Sequence, residues 1–250
     1  MARTGQPATR HVAAVQRAMD ILGVLAEARA ELGTNEIARR TGINVSTISR
    51  ILATLASGGL VEHIPSTGRY RLGLGVVRLA NAVHEGLDIQ SLVRPYLAEL
   101  AARTEETVTL SVPATYEAIT LDFAQSPLSV RSVAEVGRTS VVHATAVGKV
   151  CLAYGGSVPA GPLETFTDRT IVDPKVLEAE VAQVRERGWA QALGEREEDL
   201  NAIAAPVHDR AGRLTAILGI QGPAVRFSPR AMRAAVELLL DRAALISSAL

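Results

Sequence analysis

The stretch His143-Ala-Thr-Ala-Val-Gly-Lys149 ends in Gly-Lys, the pair that closes a phosphate-binding loop. That loop, G-x-x-x-x-G-K-[ST], needs glycine where His143 stands and a hydroxyl where Val150 stands, so phosphate-loop chemistry is not expected. Thr145 is instead expected to cap a short helix, with Gly148 permitting close approach to a sheet or a ligand. Lys149 is expected to point to solvent or to a carboxylate. Cys151 and His143 suggest a nucleophile pair, but Cys151 follows Val147 by one helical turn on an apolar stripe, where a thiol acts as a small buried hydrophobe. The five histidines show no metal-ligand spacing, and a single cysteine does not make a zinc site. The run Glu195-Arg-Glu-Glu-Asp199 reads as a solvated loop, because a carboxylate pair doing acid–base work needs apolar shelter to shift its pKa. No cofactor loop stands out, and neither a cofactor nor a metal is expected.

A different chemistry is written at residues 41–61, TGINVSTISRILATLASGGLV. Ile48, Ile51, Leu52 and Leu55 recur at helical spacing, while Ser46, Thr47, Ser49 and Arg50 take the opposite face. In a helix-turn-helix the second helix enters the major groove of DNA, its N-terminal residues at base edges and its apolar face held by the first helix. Hydroxyls serve bases or phosphates, an arginine forks onto guanine, and the helix N-terminus favours a phosphate. Ser46, Thr47, Ser49 and Arg50 are therefore the expected DNA face. Arg69 and Arg71 are placed to reach a flanking phosphate or the minor groove, as are Arg10 and Arg17. Arg39 and Arg40 are placed to grip the backbone.

The elements that must position these groups follow from pattern. Residues 1–11 read as a flexible basic arm. Val12 to about Arg29 is a helix with Val15, Ala18, Met19, Leu22 and Leu25 on one face. Thr34 caps a second helix through Arg40, with Ile37 and Ala38 inward. Gly42 breaks it, Asn44 caps a third helix from Val45 to Ser57, and Gly58-Gly59 ends that one. Runs Leu60–Ile64 and Arg69–Leu72 flank Pro-Ser-Thr-Gly as a hairpin. Three helices and a hairpin make a winged helix-turn-helix over residues 12–79. Gly73 to about Val83 reads as a helix, and residues 80–92 as the linker. Residues 93–250 alternate helices with strands. Helices are expected from Ile89 to Arg103, over Thr145–Gly155, from Pro174 to Arg187 and from Ser228 to near Ala249. Strands are expected at Val108–Pro113, Tyr116–Phe123, Ser129–Val133, Trp189–Leu193, Ala202–Val207 and Leu214–Gln221. That order implies an α+β domain with a mainly antiparallel sheet.

Composition agrees with a folded two-part chain. The 250 residues are 48% hydrophobic but only 3% aromatic, so the core must be built of Ala, Val, Leu and Ile. The overall charge is zero and unevenly spread. Residues 1–80 hold ten arginines against five acids, and residues 81–250 hold sixteen Lys/Arg against twenty-one acids, a net of +5 against −5. A basic front end joined to an acidic back end suits a nucleic-acid-facing module joined to one that is not. Cys151 alone forms no internal disulfide, no export signal or membrane span is legible, and a cytoplasmic location is expected.

Five segments in order give a resemblance. VQRAMDILGVLAE, TNEIARRTGINVSTISRILATLASGGLVEH, GRYRLGLGVVRLA, HATAVGKVCLA and AIAAPVHDRAGRLTAILGIQGPAVRF resemble the IclR family of bacterial transcription regulators, from about Val12 to the C-terminus. The resemblance implies a homodimer or tetramer, a winged helix on a palindromic double-stranded DNA operator, and a GAF-like C-terminal domain that binds a small effector, often a carboxylate, in control of a catabolic operon. It places the effector pocket at Ala146, Val147 and Gly148 and at Ala192, Ala202, Gly219 and Gln221. Where carboxylate-binding relatives carry an acid, a cysteine and serines, this chain has Ala192, Ala202, Gly219 and Gln221. A larger or more apolar ligand is therefore expected. The competing hypothesis is a small-molecule enzyme whose N-terminal module serves assembly only; it requires a catalytic constellation that the sequence does not display.

Overall fold

The computed structural model describes residues 12–28, 30–85, 89–114, 117–158 and 161–250, with residues 80–85 described by backbone only. Arg10 and the expected arm at 1–11 lie outside the described residues, as does part of the expected linker. Contacts divide the chain into two compact units, Met1–Leu87 and Asp88–Leu250.

The first unit holds α1 (Ala13–Ala28), α2 (Thr34–Thr41), α3 (Val45–Ser57), the hairpin β1 (Val61–Ile64) and β2 (Arg69–Leu72), and α4 (Leu74–Glu85). Ile21, Leu25, Leu32, Ile37, Ile48, Leu52, Leu55 and Val61 form its core. Gly42 leaves α2 in a left-handed conformation, φ 70°, and its N–H bonds the carbonyl of Ala38. The Asn44 side chain then accepts the N–H of Thr47 at 2.8 Å, which starts α3. The turn between the two helices is thus set by glycine at the stop and asparagine at the start. Leu32 and Tyr70 exchange backbone hydrogen bonds of 2.9 and 2.8 Å, adding a bridge to the hairpin.

Two local expectations change. Thr34 is the first residue of α2, and the capping position is Gly33, which supplies no side-chain bond. On α1 the buried residues are Ile21 and Leu25, while Val15 and Met19 stand 56% and 59% exposed. Ala18, Leu22 and Leu25 of the expected face do pack with this core, so the buried stripe is the expected one rotated toward Ile21, with Val15 and Met19 left at its exposed edge.

The second unit contains α5 (Ile89–Thr104), β3 (Thr107–Pro113), β4 (Glu117–Ala124), β5 (Thr139–Val141), α6 (Ala146–Ala153), α7 (Pro174–Arg187), β6 (Ala190–Leu193), β7 (Leu200–His208), β8 (Leu214–Pro223) and α8 (Pro229–Ala249). Its six strands run β5-β4-β3-β8-β7-β6, every neighbouring pair antiparallel. Cross-strand partners sort the sheet into two unlike faces, because side chains alternate along a strand. Val108, Leu110, Ile203, Leu218 and Ile220 share the aliphatic face, the side left to α5 and α8, which pack on these strands. Thr109, Ala192, Ala202, Ala204, Gly219 and Gln221 share the other, where Ala192 and Ala204 pack in one cluster with α6 and α7. Small and polar residues on that second face leave space between sheet and helix.

The expected strand at Ser129–Val133 is a loop, and the outer strand is β5 instead. The loop's backbone is satisfied by side chains rather than by a ladder. Thr107 donates its hydroxyl to the carbonyl of Ser132 at 2.7 Å, and the Gln125 amide donates to the same oxygen. Val130 and Val133 remain exposed, so the run marks no buried face.

Candidate functional site

On the first unit, α3 presents Ser46, Ser49 and Arg50 exposed and Thr47 half-buried, opposite buried Ile48, Leu52 and Leu55. The hydroxyls are partly engaged at home: Ser46 donates to the Asn44 side chain at 2.9 Å and Ser49 to the carbonyl of Val45 at 3.0 Å. Arg50 donates to no described residue. Thr47 and Arg50 line a groove between α1 and α3 together with Arg17 and Thr54, so Arg17 joins this face from a different helix. The remaining arginines are distributed less evenly than spacing suggests. Arg40 pairs with Glu36 at 2.7 Å, Arg71 pairs with Glu62 across the hairpin at 2.9 Å, and Arg69 donates to the carbonyl of Glu31 at 2.9 Å. The hydrogen bond that Arg71 donates to Glu62, seconded by the charge of that carboxylate, raises the Arg71 pKa above its ordinary value. Arg39 is exposed, and its side chain has no hydrogen-bond partner among the described residues.

On the second unit, a cavity of about 60 Å³, open to solvent at its mouth, lies between the small-residue face of the sheet and the start of α6. Val147, Ala192, Ala202 and Gln221 line it; Ala146, Gly148 and Gly219 do not. Those three hold the wall from behind. Ala146 is fully buried, and a Cβ on Gly148 would sit 2.3 Å from the carbonyl of Val141. A Cβ on Gly219 would meet Thr109 Oγ1 at 2.8 Å and Val147 Cγ2 at 3.1 Å. The glycines are there for close approach of α6 to its neighbours. Thr145 starts α6 as its sequence suggests, accepting the N–H of Gly148 at 3.0 Å.

Several lining residues were not legible in the sequence: Thr109, Thr120, Arg138, Ser140, Glu195 and Arg196. They come from four separate segments, and no spacing rule links them. The run at Glu195–Asp199 was legible as a charged stretch, but its reading as solvated fails at its first residue. Glu195 is 7% exposed, and Lys149 is 1% exposed and donates to Glu195 Oε1 at 2.7 Å and to the carbonyl of Gln191 at 2.9 Å. Thr167 donates to the carbonyl of Gly194 at 2.7 Å and Thr170 to that of Glu195 at 2.6 Å. Gly194, at φ 63°, turns the chain inward. The pocket is accordingly more polar than expected.

Arg196 and Arg138 edge the cavity. Arg138 donates to Glu197 at 3.1 Å and to the carbonyl of Val133 at 3.3 Å. The Arg196 guanidinium lies 5.6 Å from the centre of the Phe166 ring. Burial, and then the nearby charge of Arg138, push its pKa down. Cys151 and His143 have separate partners. His143 Nε2 is 2.8 Å from the carbonyl of Glu164, and Cys151 Sγ faces the carbonyls of Ala114 and Glu117 at 3.9 and 3.7 Å. Burial pushes the Cys151 thiol up, away from the thiolate a nucleophile needs. Among the described residues no cluster of His, Cys, Asp or Glu has metal-binding geometry, and no helix is long and apolar enough to cross a membrane.

A winged helix whose second-helix face is unburied, carried with a sheet unit that encloses a polar-edged cavity, defines the class of helix-turn-helix transcription regulators. Comparison with known proteins gives the family. The description "Bacterial transcriptional regulator IclR C-terminal" matches residues 81–248, and "IclR helix-turn-helix domain" matches 14–65. The chain belongs to the IclR family. It is 31% identical to the regulator XynR of Escherichia coli, over 84% of this chain and 85% of that one. It is 32% identical to the glycerol operon regulatory protein of Streptomyces griseus, over 88% of each. A crystal structure of an IclR regulator from a Silicibacter species matches with a TM-score of 0.82 at 30% identity, over 94% of this chain and 95% of that one. These relatives are regulators and not enzymes, so this chain is a transcription regulator and the assembly-module enzyme is set aside.

Proposed function

We propose that this protein binds a palindromic operator as a homodimer or tetramer in the cytoplasm, and that a small metabolite held in the cavity of the second unit modulates that binding, in control of a catabolic operon. The observation that carries the DNA half is α3: its apolar side is buried while Arg50 is exposed and donates to no described residue, with Thr47 and Arg17 in the same groove. Ser46, Thr47, Ser49 and Arg50 contact bases, and Arg39 contacts phosphate. Arg40, Arg69 and Arg71 join them by exchanging local partners for phosphates, and Arg10 adds a contact from the N-terminal segment. The helix α4 is the lever that carries the effector signal to the DNA-binding heads. Such coupling requires the ligand to bind two arrangements of the protein unequally.

The test is selection of bound sequences from a random duplex library. The expected result is an enriched site with two inverted half-sites about 34 Å or a multiple apart, bound with an affinity that falls steeply with salt. No enrichment above the unselected library would end the reading.

A further inference from the structure

Resting on the reading that the protein binds two inverted half-sites, we propose that Gly73 and Gly75 are positioning residues for operator geometry: by seating α4 directly on the turn that ends α3, they set the spacing between half-sites that the protein accepts. The turn is an extension of α3 itself. Gly59, at φ 71°, donates its N–H to the carbonyl of Ala56 at 3.0 Å, and Leu60 donates to that of Leu55 at 2.9 Å. The carbonyls of these same residues then receive the next helix. Gly73 donates to Leu60 at 2.9 Å and Gly75 to Gly59 at 2.8 Å, while Val76 closes the first turn of α4 on Gly73 at 3.1 Å. Backbone thus meets backbone all the way from α3 to α4.

Only glycine permits this approach. A Cβ on Gly73 would stand 2.4 Å from the Gly59 oxygen, and one on Gly75 would stand 2.6 Å from that oxygen and 2.8 Å from its carbon, inside the 3.0 Å that real Cβ atoms keep. Neither glycine has a positive φ, so the requirement is closeness and not conformation. Helices otherwise favour alanine over glycine. Leu74, Val77 and Leu79 around the joint are exposed, so α4 is steered from the glycine side of its first turn. From α4 the chain runs into the second unit, which starts at Asp88. The angle between α4 and α3 therefore enters the distance between the two DNA-reading helices of an oligomer. With 12 residues, α4 is about 18 Å long. Making room for a Cβ on Gly75 moves that first turn by at least about 0.4 Å, a tilt of about 4° over one turn of about 5.4 Å. At the far end of α4 this becomes about 1.3 Å, and between two symmetry-related heads about 2.7 Å, on the order of the base-pair rise of about 3.4 Å.

The experiment measures the affinity of the full-length protein, by fluorescence anisotropy, for the duplex selected from the random library, for versions with the spacer between half-sites lengthened or shortened by single base pairs, and for an isolated half-site. Wild type is compared with Gly75→Ala and with Gly58→Ala, which adds a Cβ to the same turn at ordinary distances of 3.7 and 3.8 Å from its neighbours. Gly75→Ala should bind the isolated half-site within about twofold of wild type, lose at least about tenfold on the selected duplex, and prefer a spacer different by about one base pair. Gly58→Ala should keep the wild-type spacing. Amide hydrogen exchange on the wild-type protein needs no variant: the Gly73 and Gly75 N–H groups should be as protected as those of Leu52 and Leu55, because a rigid joint opens only together with α3. A Gly75→Ala variant with the wild-type spacing preference, a folded Gly75→Ala that loses the half-site equally, the same change in Gly58→Ala, or joint amides that exchange as fast as an unstructured chain would each overturn the proposal. A library that yields no inverted half-sites removes the reading on which it rests; inverted half-sites with an unmoved spacing remove only the role of the glycines.

Discussion

Replacing Lys149 with methionine tests the buried ion pair at the cavity wall. Methionine keeps the apolar stem and removes the ammonium, which is 1% exposed and bonded to Glu195 Oε1 at 2.7 Å and to the carbonyl of Gln191. Glu195 is then left with one weak donor, the N–H of Leu193 at 3.4 Å, while its Oε2 is already buried with no partner among the described residues. Stranding one half of a buried pair costs about 3–5 kcal/mol. For a unit of this size each kcal/mol moves the midpoint by about 2–4 °C, so the variant should melt about 6–20 °C lower. Trp189 lies in the affected unit, beside β6, with Arg187 over its ring at 4.6 Å, so its emission reports this unit's unfolding. The double variant Lys149→Met with Glu195→Met should recover most of the loss, because replacing both charges with apolar groups is often neutral or better. A single variant that lost less than about 1 kcal/mol, the range of exposed ion pairs, would refute the burial argument.

Further outcomes follow from individual residues. Arg50→Ala should cost about 1–3 kcal/mol at the selected operator and relax one base position, measured by titration against operator variants; equal profiles for mutant and wild type would dismiss the base contact. Arg39→Ala should instead lower affinity evenly across sequences and reduce the salt slope by about one. Asn44→Ala removes the side chain that accepts from Thr47 and should destabilise the first unit by about 1 kcal/mol in denaturant melts. Cys151, raised by burial, should resist iodoacetamide in the native protein at pH 8 and react on unfolding. By linkage it lowers stability as pH climbs above the ordinary thiol value, because only the unfolded chain then ionises freely; rapid native labelling would contradict this.

The first unit was largely legible because its signals are local. Gly42, Asn44 and Gly58-Gly59 punctuate α3 within single turns, and the apolar spacing of Ile48, Leu52 and Leu55 orients it. Even there, how far the apolar face of α1 is rotated toward Ile21 and away from Met19 belonged to tertiary packing. In the second unit the sequence marked α6, α7, α8 and most strands, but it misplaced the outer strand. The valines at Ser129–Val133 imitate a short strand, and only the side chains of Thr107, from β3, and Gln125, after β4, decide that its backbone is satisfied otherwise.

The sequence by itself determined that a hydroxyl-and-arginine helix follows a glycine turn, and that a capped helix begins after Thr145, since each depends on contacts within a few residues. Only the tertiary structure decided that Glu195 is buried, that Lys149 meets it across 46 positions, and that Arg196 is thereby held at a cavity wall. A charge in a polar run reads the same whether solvated or enclosed. What distinguishes the two is the free energy of its surroundings, and those are assembled from segments that chain order keeps apart.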